Sequence, residues 1–359
     1  MNRAMLRERI LALIERSAGP HRGAERAGLA EERDLLLQDL AAYQGEAVGP
    51  YAKLAGGDRQ SLFEEWPPAL PTEVFRHVRV AAHPPTEDIR VFRTSGTTTG
   101  ARGEHPFADL EVYDRAARIA AASLLFADAP SEGMRLVILA PSEDAAPDSS
   151  LSYMLARFTE WFGSVASTIW PLEAERLGAV LAEAEASGEP TAVLGTSFAF
   201  VHAEDTLERS FALPAGSLLM QTGGFKGRSR EVAPAQLRAA LSARYGLPEH
   251  RIIGEYGMTE LSSQLYETTL VDPGGQRLYG PPPWVRVSAV DPERLEPLPL
   301  GTRGLLRIDD AANLDSVACL QTADSATIHP GGLVELHGRH PGALPRGCSL
   351  AVEEALASR

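Results

Sequence analysis

The segment RTSGTTTGARGEH, residues 93–105, places hydroxyl side chains between glycines directly after the apolar stretch DIRVF. Its hydroxyl residues are Thr94, Ser95, Thr97, Thr98 and Thr99, and its glycines are Gly96, Gly100 and Gly103. Glycines allow tight turns, in which backbone N–H and side-chain O–H groups can bind phosphate oxygens. The segment therefore predicts a phosphate-binding loop at a strand end, with an ordinary surface loop as the alternative.

Two common nucleotide-binding motifs do not fit this segment. GxxxxGK[ST] requires a lysine after its last glycine, whereas the lysines of this chain are Lys53 and Lys226. The glycine spacing also differs from GxGxxG. The sequence thus argues against both phosphate-loop NTPases and dinucleotide-binding folds.

Short apolar runs alternate with longer helical patterns through the middle of the chain. The runs are RLVILA at 135–140, PTAVLG at 190–195, SLLMQTGG at 217–224 and RIIGEYG at 251–257. The helical stretch EAERLGAVLAEAEASG lies before the run at 190–195, and APAQLRAALSARYG lies before the run at 251–257. This alternation is typical of parallel strands joined by crossover helices and predicts an α/β fold.

Changes in sequence texture suggest four segments. Residues 1–70 have helical periodicity and form a helical N-terminal region of the main domain, and residues 71–270 form the α/β core. Residues 271–339, rich in Gly, Pro and β-branched side chains, predict a smaller β-rich subdomain. Residues 340–359 form a C-terminal tail that carries Cys348.

Composition excludes several classes of protein. The 359 residues include 44% hydrophobic side chains, enough for a sizeable core, and a net charge of −14 with no basic stripe argues against a nucleic-acid partner. No apolar run approaches the roughly 18 to 20 residues that span a membrane, so we expect a cytoplasmic protein. Its two cysteines, Cys319 and Cys348, form no CxxC pair and indicate neither a zinc site nor a disulfide framework.

Three further segments follow the hydroxyl loop in a fixed order: GEYGMTE at 254–260, LQTADSATI around Asp324, and HGR at 337–339. Together with the loop, they resemble the signatures of the adenylate-forming superfamily, whose members join a carboxylic acid to AMP. The resemblance implies the N-terminal-domain fold of that superfamily, with parallel or mixed sheets flanked by helices and a smaller β-rich subdomain. It also implies ATP and Mg²⁺ as cofactors.

The resemblance assigns a role to each motif residue. Tyr256 would stack on adenine, and Thr259 would contact the α-phosphate. Glu260 would hold Mg²⁺, a hard cation that prefers carboxylate oxygens. Asp324 and Arg339 would bind the ribose. The remaining nucleotide-binding residues would be Gly257 and the loop residues Thr94, Ser95, Gly96, Thr97 and Thr98.

Two departures from the superfamily pattern narrow the resemblance. Ala323 replaces the glycine of the usual TGD triplet, and no lysine follows Lys226, although typical acyl-CoA ligases carry a catalytic lysine in a C-terminal lid. We therefore expect the full lid to be absent.

Within the superfamily, the chain resembles the acyl-protein synthetases of the bacterial luminescence fatty-acid reductase complex. These enzymes take a fatty acid onto a cysteine near their C-terminus and pass it to an acyl reductase.

Carried over to this sequence, that resemblance makes Cys348 the acyl acceptor. The segment between Arg339 and Cys348 could extend roughly 30 Å, enough to bring the sulfur to an active site. The recipient would be an acyl reductase, an acyltransferase or a carrier protein. The alternative is a packed cysteine on a terminal helix, because unpaired cysteines are often buried.

Two side chains could neutralise the negative charge of pyrophosphate in place of a lid lysine. They are Lys226, in the glycine-flanked segment TGGFKGRSR, and Arg102. For both, the alternative is a solvated surface charge. His105 and His202 are more typical of packing residues than of catalysts. Cys319 is more typical of a residue in the hydrophobic core.

Two other functions stay open for the chain. One is a lidless ligase that delivers an acid to coenzyme A or a carrier protein, and the other is a non-catalytic subunit that binds acyl-adenylate.

Overall fold

The computed structural model describes residues 2–19, 23–55, 66–94, 102–169, 173–223 and 232–341. Its α-helices are α1 Arg3–Arg16, α2 Gly23–Ala47, α3 Gly49–Leu54, α4 Glu111–Leu124, α5 Ser150–Phe162, α6 Ala174–Ser187, α7 Ser197–Thr206 and α8 Pro234–Tyr245. Its strands are β1 Leu70–Pro71, β2 Arg90–Arg93, β3 Glu104–Phe107, β4 Arg135–Leu139, β5 Thr168–Ile169, β6 Thr191–Thr196, β7 Leu218–Thr222, β8 Ile252–Tyr256, β9 Leu265–Glu267, β10 Tyr279–Gly280, β11 Val285–Val290, β12 Arg303–Asp310, β13 Cys319–Ile328 and β14 Val334–Arg339.

The chain divides into two compact units, each built from separate stretches of sequence. One unit contains residues 1–120, 258–265 and 278–359, and the other contains residues 121–257 and 266–277. The sequence boundaries at residues 70, 270 and 339 stay a prediction.

The unit of residues 121–257 and 266–277 contains a parallel sheet. Its strands lie in the order β5, β4, β6, β7, β8, and each of these four neighbouring pairs is parallel. The apolar runs at 135–140, 190–195, 217–224 and 251–257 supply β4, β6, β7 and β8, so the prediction of parallel α/β structure is confirmed.

Local chemistry explains where the crossover helices of this unit begin and end. Ser149 caps the N-terminus of α5, because its hydroxyl accepts a hydrogen bond from the Ser152 N–H. Helices α6 and α8 are followed directly by Gly188 and Gly246, which adopt left-handed backbone angles with φ of 72° and 65° and so terminate the helices. The buried side of α6 packs into the hydrophobic core beside the sheet, and each buried leucine there contributes about 1.5–3 kcal/mol.

The other unit contains the antiparallel strands. Strand β11 pairs with β12, β12 with β13, β13 with β14 and β14 with β10, while the short β1 lies parallel to β13. The glycine- and proline-rich sequence after residue 270 therefore forms β-strands, as predicted, and the structure shows β11 to β14 pairing antiparallel. Strands β2 and β3 form a separate antiparallel hairpin in this unit.

The N-terminal helices of the same unit follow from their apolar spacing. Leu6, Ile10, Leu13 and Ile14 are fully buried on one face of α1, and α1 packs against α2. Within the described ranges, none of the helices combines the length and the apolar character that crossing a bilayer requires.

Candidate functional site

The hairpin β2–β3 holds the two ends of the predicted phosphate loop together. The Thr94 N–H donates to the Gly103 carbonyl at 2.9 Å, and the Gly103 N–H donates to the Thr94 hydroxyl at 2.8 Å. Because that hydroxyl oxygen accepts here, its proton can still be donated to a phosphate. Ser95, Gly96, Thr97 and Thr98 lie outside the described residues.

Arg102 folds back onto the backbone of the same hairpin. Its Nε donates to the Thr94 carbonyl at 2.6 Å, and one terminal nitrogen donates to the Arg93 carbonyl at 3.3 Å. The residue is exposed, and these bonds are to neutral carbonyls. Its positive charge is therefore placed at the base of the loop.

The motif GEYGMTE begins in one unit and ends in the other. Tyr256 is the last residue of β8, and Gly257 follows it at the end of the unit that contains the parallel sheet. Just before them, the buried carboxyl of Glu255 accepts a hydrogen bond from the Thr222 hydroxyl on β7. Burial raises the pKa of Glu255 to about 7, and this hydrogen bond partly opposes the rise.

Thr259 and Glu260 belong to the other unit, where buried side chains hold their backbone. The Thr259 carbonyl lies 2.7 Å from Nδ1 of His105, and the Glu260 carbonyl accepts from Nδ2 of Asn313 at 3.0 Å. Glu260 itself is buried, with 8% of its surface exposed. Sequence reasoning treated His105 as a packing residue and did not identify Asn313.

Asp310 fixes the residues that follow the motif. Its carboxylate accepts hydrogen bonds from the Ser262 N–H at 3.1 Å and the Ser263 hydroxyl at 2.8 Å. The indole N–H of Trp284 in turn donates to the Ser263 oxygen at 2.9 Å. Burial raises the pKa of Asp310 to about 6, although its hydrogen bonds oppose the rise.

Asp324 and Arg339 are brought together by the pairing of β13 with β14. They are direct partners in the antiparallel register, which breaks between Asp324 and Ala326. Arg339 is also hydrogen-bonded to Glu73 at 3.0 Å, while 62% of its side-chain surface stays exposed. Sequence reasoning missed Glu73, because an acidic residue next to a short apolar run carries no signal of a distant arginine.

Of the two cysteines, Cys319 lies within the described residues and Cys348 does not. Cys319 is fully buried, and burial raises the pKa of its thiol to about 12, so it is not a reactive thiolate at neutral pH. Cys348 and Lys226 lie outside the described residues.

Of the two carboxyl groups in the motif, Glu255 and Glu260, Glu260 is the one to which the resemblance assigns Mg²⁺. Within the described residues, no group of three or more His, Cys, Asp or Glu side chains could hold a metal ion. Mg²⁺ in nucleotide sites is usually held by one or two carboxylates together with phosphate oxygens and water. Glu260, with its backbone fixed by Asn313, fits that donor set.

The sequence matches the family described as "Acyl-protein synthetase, LuxE" over residues 64–357, which is most of the chain. The chain belongs to this acyl-protein synthetase family. The resemblance drawn from the motifs is confirmed by this match. A Vibrio harveyi relative, the long-chain-fatty-acid–luciferin-component ligase, is 30% identical over 110 residues, which cover 29% of this chain and 28% of the relative. The aligned region thus spans less than a third of either protein.

Solved structures of 2-hydroxyisobutyryl-CoA ligase resemble this acyl-protein synthetase family member in fold. One, in its thioesterification state, has a TM-score of 0.63 at 16% identity and covers 90% of this chain and 70% of the ligase. Another, in an open conformation, has a TM-score of 0.62 at 17% identity, with coverage of 90% and 77%. These similarities confirm the predicted fold, an α/β fold with sheets flanked by helices.

Proposed function

We propose that this protein activates a carboxylic acid with ATP, forming an acyl-adenylate and releasing pyrophosphate. The match to the acyl-protein synthetase family over residues 64–357 is the observation that carries the proposal. The ligase of similar fold was captured with an acyl-AMP, 2-HIB-AMP, and with CoA, which supports the same chemistry here. The name of the Vibrio harveyi relative supports a long-chain fatty acid as the substrate.

The motif residues would divide the binding of ATP among them. Asp324 and Arg339, adjacent on paired strands, would bind the ribose, and Tyr256 with Gly257 would bind adenine. The phosphates would be bound by Thr259 and by the loop residues Thr94, Ser95, Gly96, Thr97 and Thr98. Arg102 and Lys226 would stabilise the departing pyrophosphate. Mg²⁺, held by Glu260, would neutralise phosphate charge.

The acyl group would then move to Cys348. The thiol would lose its proton to solvent, its sulfur would form a bond to the acyl carbonyl carbon, and the carbon–oxygen bond to AMP would break with the electron pair leaving on AMP. The resulting thioester would pass to an acyl reductase, an acyltransferase or a carrier protein. The high pKa of Cys319 supports Cys348 as the reacting thiol.

Intact-protein mass spectrometry after incubation with Mg-ATP and a panel of carboxylic acids tests both steps. We expect a hydroxylamine-labile acyl adduct on the wild type and on Cys319→Ala, and none on Cys348→Ser, which should still catalyse ATP–pyrophosphate exchange. The mass of the adduct would identify the acid.

A second function is favoured by the CoA bound in the ligase of similar fold: delivery of the acid to coenzyme A or a carrier protein, with Cys348 structural. ATP–pyrophosphate exchange without an acyl adduct on the wild type or on either variant would support this second function. A lack of both exchange and adduct with every acid would contradict acid activation and favour a subunit that only binds acyl-adenylate.

A further inference from the structure

His105 is a fully buried histidine whose two ring nitrogens both have partners. Nδ1 lies 2.7 Å from the Thr259 carbonyl oxygen, and Nε2 lies 2.9 Å from the Ser316 hydroxyl. The ring packs edge-on against Phe75 and tilted against Phe107, with centroid distances of 5.8 and 4.2 Å. These contacts leave the imidazole a single orientation.

The partners also fix the tautomer of the ring. A carbonyl oxygen can only accept, so Nδ1 must carry the proton that it donates to Thr259. Nε2 is then an acceptor for the Ser316 hydroxyl. His105 is thus a neutral donor aimed at one backbone carbonyl of the motif, and Ser316 supports it from the opposite side.

Asn313 holds the next carbonyl along the chain. Its Nδ2 donates to the Glu260 carbonyl at 3.0 Å and to the Val317 carbonyl at 3.1 Å. The backbone of Asn313 is itself anchored, because Gln44 donates to its carbonyl at 2.7 Å. Asn313, Gln44 and Ser316 are all buried.

Two consecutive carbonyls held in this way restrict the conformation of Glu260. Peptide groups are planar, so the direction of a carbonyl sets the orientation of its whole peptide unit. Fixing the units on both sides of Glu260 leaves little freedom in its two backbone dihedrals, and hence in the direction of its side chain.

We propose that His105 and Asn313 form a buried brace that positions Thr259 and Glu260 for binding the phosphates and Mg²⁺ of ATP. This inference rests on the proposed function. The strand that carries His105, β3, directly follows the hydroxyl-rich loop in the sequence, so the brace also links two of the nucleotide motifs. His105 and Asn313 are positioning residues, because they act through the backbone of the motif GEYGMTE.

Paired substitutions of His105 give the sharpest test. Asn places an amide nitrogen near the position of Nδ1, and Gln places one near that of Nε2. His105→Asn should therefore keep the donor to Thr259, and His105→Gln should lose it. Asn313→Ala removes the second tether, and Ser217→Ala is the control, since Ser217 is a buried hydroxyl that accepts from Thr191 N–H in the other unit.

Hydrogen exchange of the ligand-free protein is the first measurement, because it does not depend on activity. We expect amide exchange in residues 256–262 to accelerate by about 10-fold or more in His105→Gln and Asn313→Ala, and much less in His105→Asn and Ser217→Ala. Unchanged protection in both His105→Gln and Asn313→Ala, or equal acceleration in all four variants, would overturn the brace.

ATP–pyrophosphate exchange is the second measurement. We expect kcat/KM for Mg-ATP to fall on the order of 100-fold in His105→Gln, with most of the activity retained in His105→Asn. Equal losses in these two variants would overturn the positioning role. Absence of ATP–pyrophosphate exchange in the wild type would instead contradict the proposed function. The hydrogen-exchange result would still show whether His105 and Asn313 hold the backbone of the motif.

Discussion

Thr222 and Glu255 are paired across the parallel strands β7 and β8, and the Thr222 hydroxyl donates to the buried Glu255 carboxyl. One donor is little compensation for a carboxylate removed from water, which is why the pKa of Glu255 rises to about 7. Glu255 directly precedes Tyr256, so the end of β8 carries a carboxyl that is largely protonated below neutral pH.

The substitution Glu255→Gln should stabilise the protein at alkaline pH. The folded pKa of about 7 lies above the reference value of 4.5, so the native state loses stability as pH rises from 4.5 through 7. Gln keeps the acceptor for Thr222 and cannot ionise. The gain in unfolding free energy should grow from about 1 kcal/mol at pH 5 to about 3 kcal/mol at pH 8. Urea unfolding at both values measures it, with the exposed Glu249→Gln as control; a gain that does not change with pH would contradict the argument.

His105 should make the fold sensitive to acid, with the opposite sign. Burial is the main cause that lowers its pKa from 6.5 to about 4, and the charge of His83 adds to the effect, while the bond to Thr259 opposes it. Its stability contribution is complete above pH 6.5 and is lost as pH falls towards 4, at a cost of about 3 kcal/mol. His105→Asn should therefore lose less stability than the wild type between pH 7 and 4.5. Urea unfolding with the exposed His202→Asn as control checks this, and parallel pH curves for all three proteins would refute it.

Arg339 and Glu73 should act together in binding ATP. Loss of a charged hydrogen-bond donor to the ribose costs about 1.5–3 kcal/mol, so Arg339→Ala should raise the dissociation constant of ATP by at least about 10-fold. Glu73→Gln should have a smaller effect, because an ion pair with a largely exposed arginine couples by only about 0.2–1 kcal/mol. Calorimetric titration of the two single variants and the double variant measures the coupling. Arg26→Ala, which removes another exposed arginine of the same unit, should bind ATP normally.

Sequence periodicity was sufficient to predict the strands and helices that carry the motifs. Runs such as RLVILA form β4 because apolar β-branched stretches can bury both faces in a parallel sheet, and Gly188 and Gly246 mark the helix ends. The contacts of His105 could not be predicted in this way. Its partners Thr259 and Ser316 are 154 and 211 residues distant in the chain, and only the tertiary fold brings them together.

Asp310 should gain less stability from amide substitution than Glu255, although burial raises the pKa of both. Its carboxylate accepts from the N–H groups of Ser262 and Ala312 and from the Ser263 hydroxyl. In Asp310→Asn, one acceptor oxygen becomes an N–H₂ group that faces a buried donor, and leaving a buried donor unsatisfied costs about 1–3 kcal/mol. Removing the ionisable group offsets this cost, because the raised pKa of Asp310 makes its charged form unfavourable at pH 7.5. We therefore expect urea unfolding at pH 7.5 to show a gain in stability that is about 1–3 kcal/mol smaller for Asp310→Asn than for Glu255→Gln. Equal gains in both variants would mean that the number of donors around a buried carboxyl does not decide the outcome.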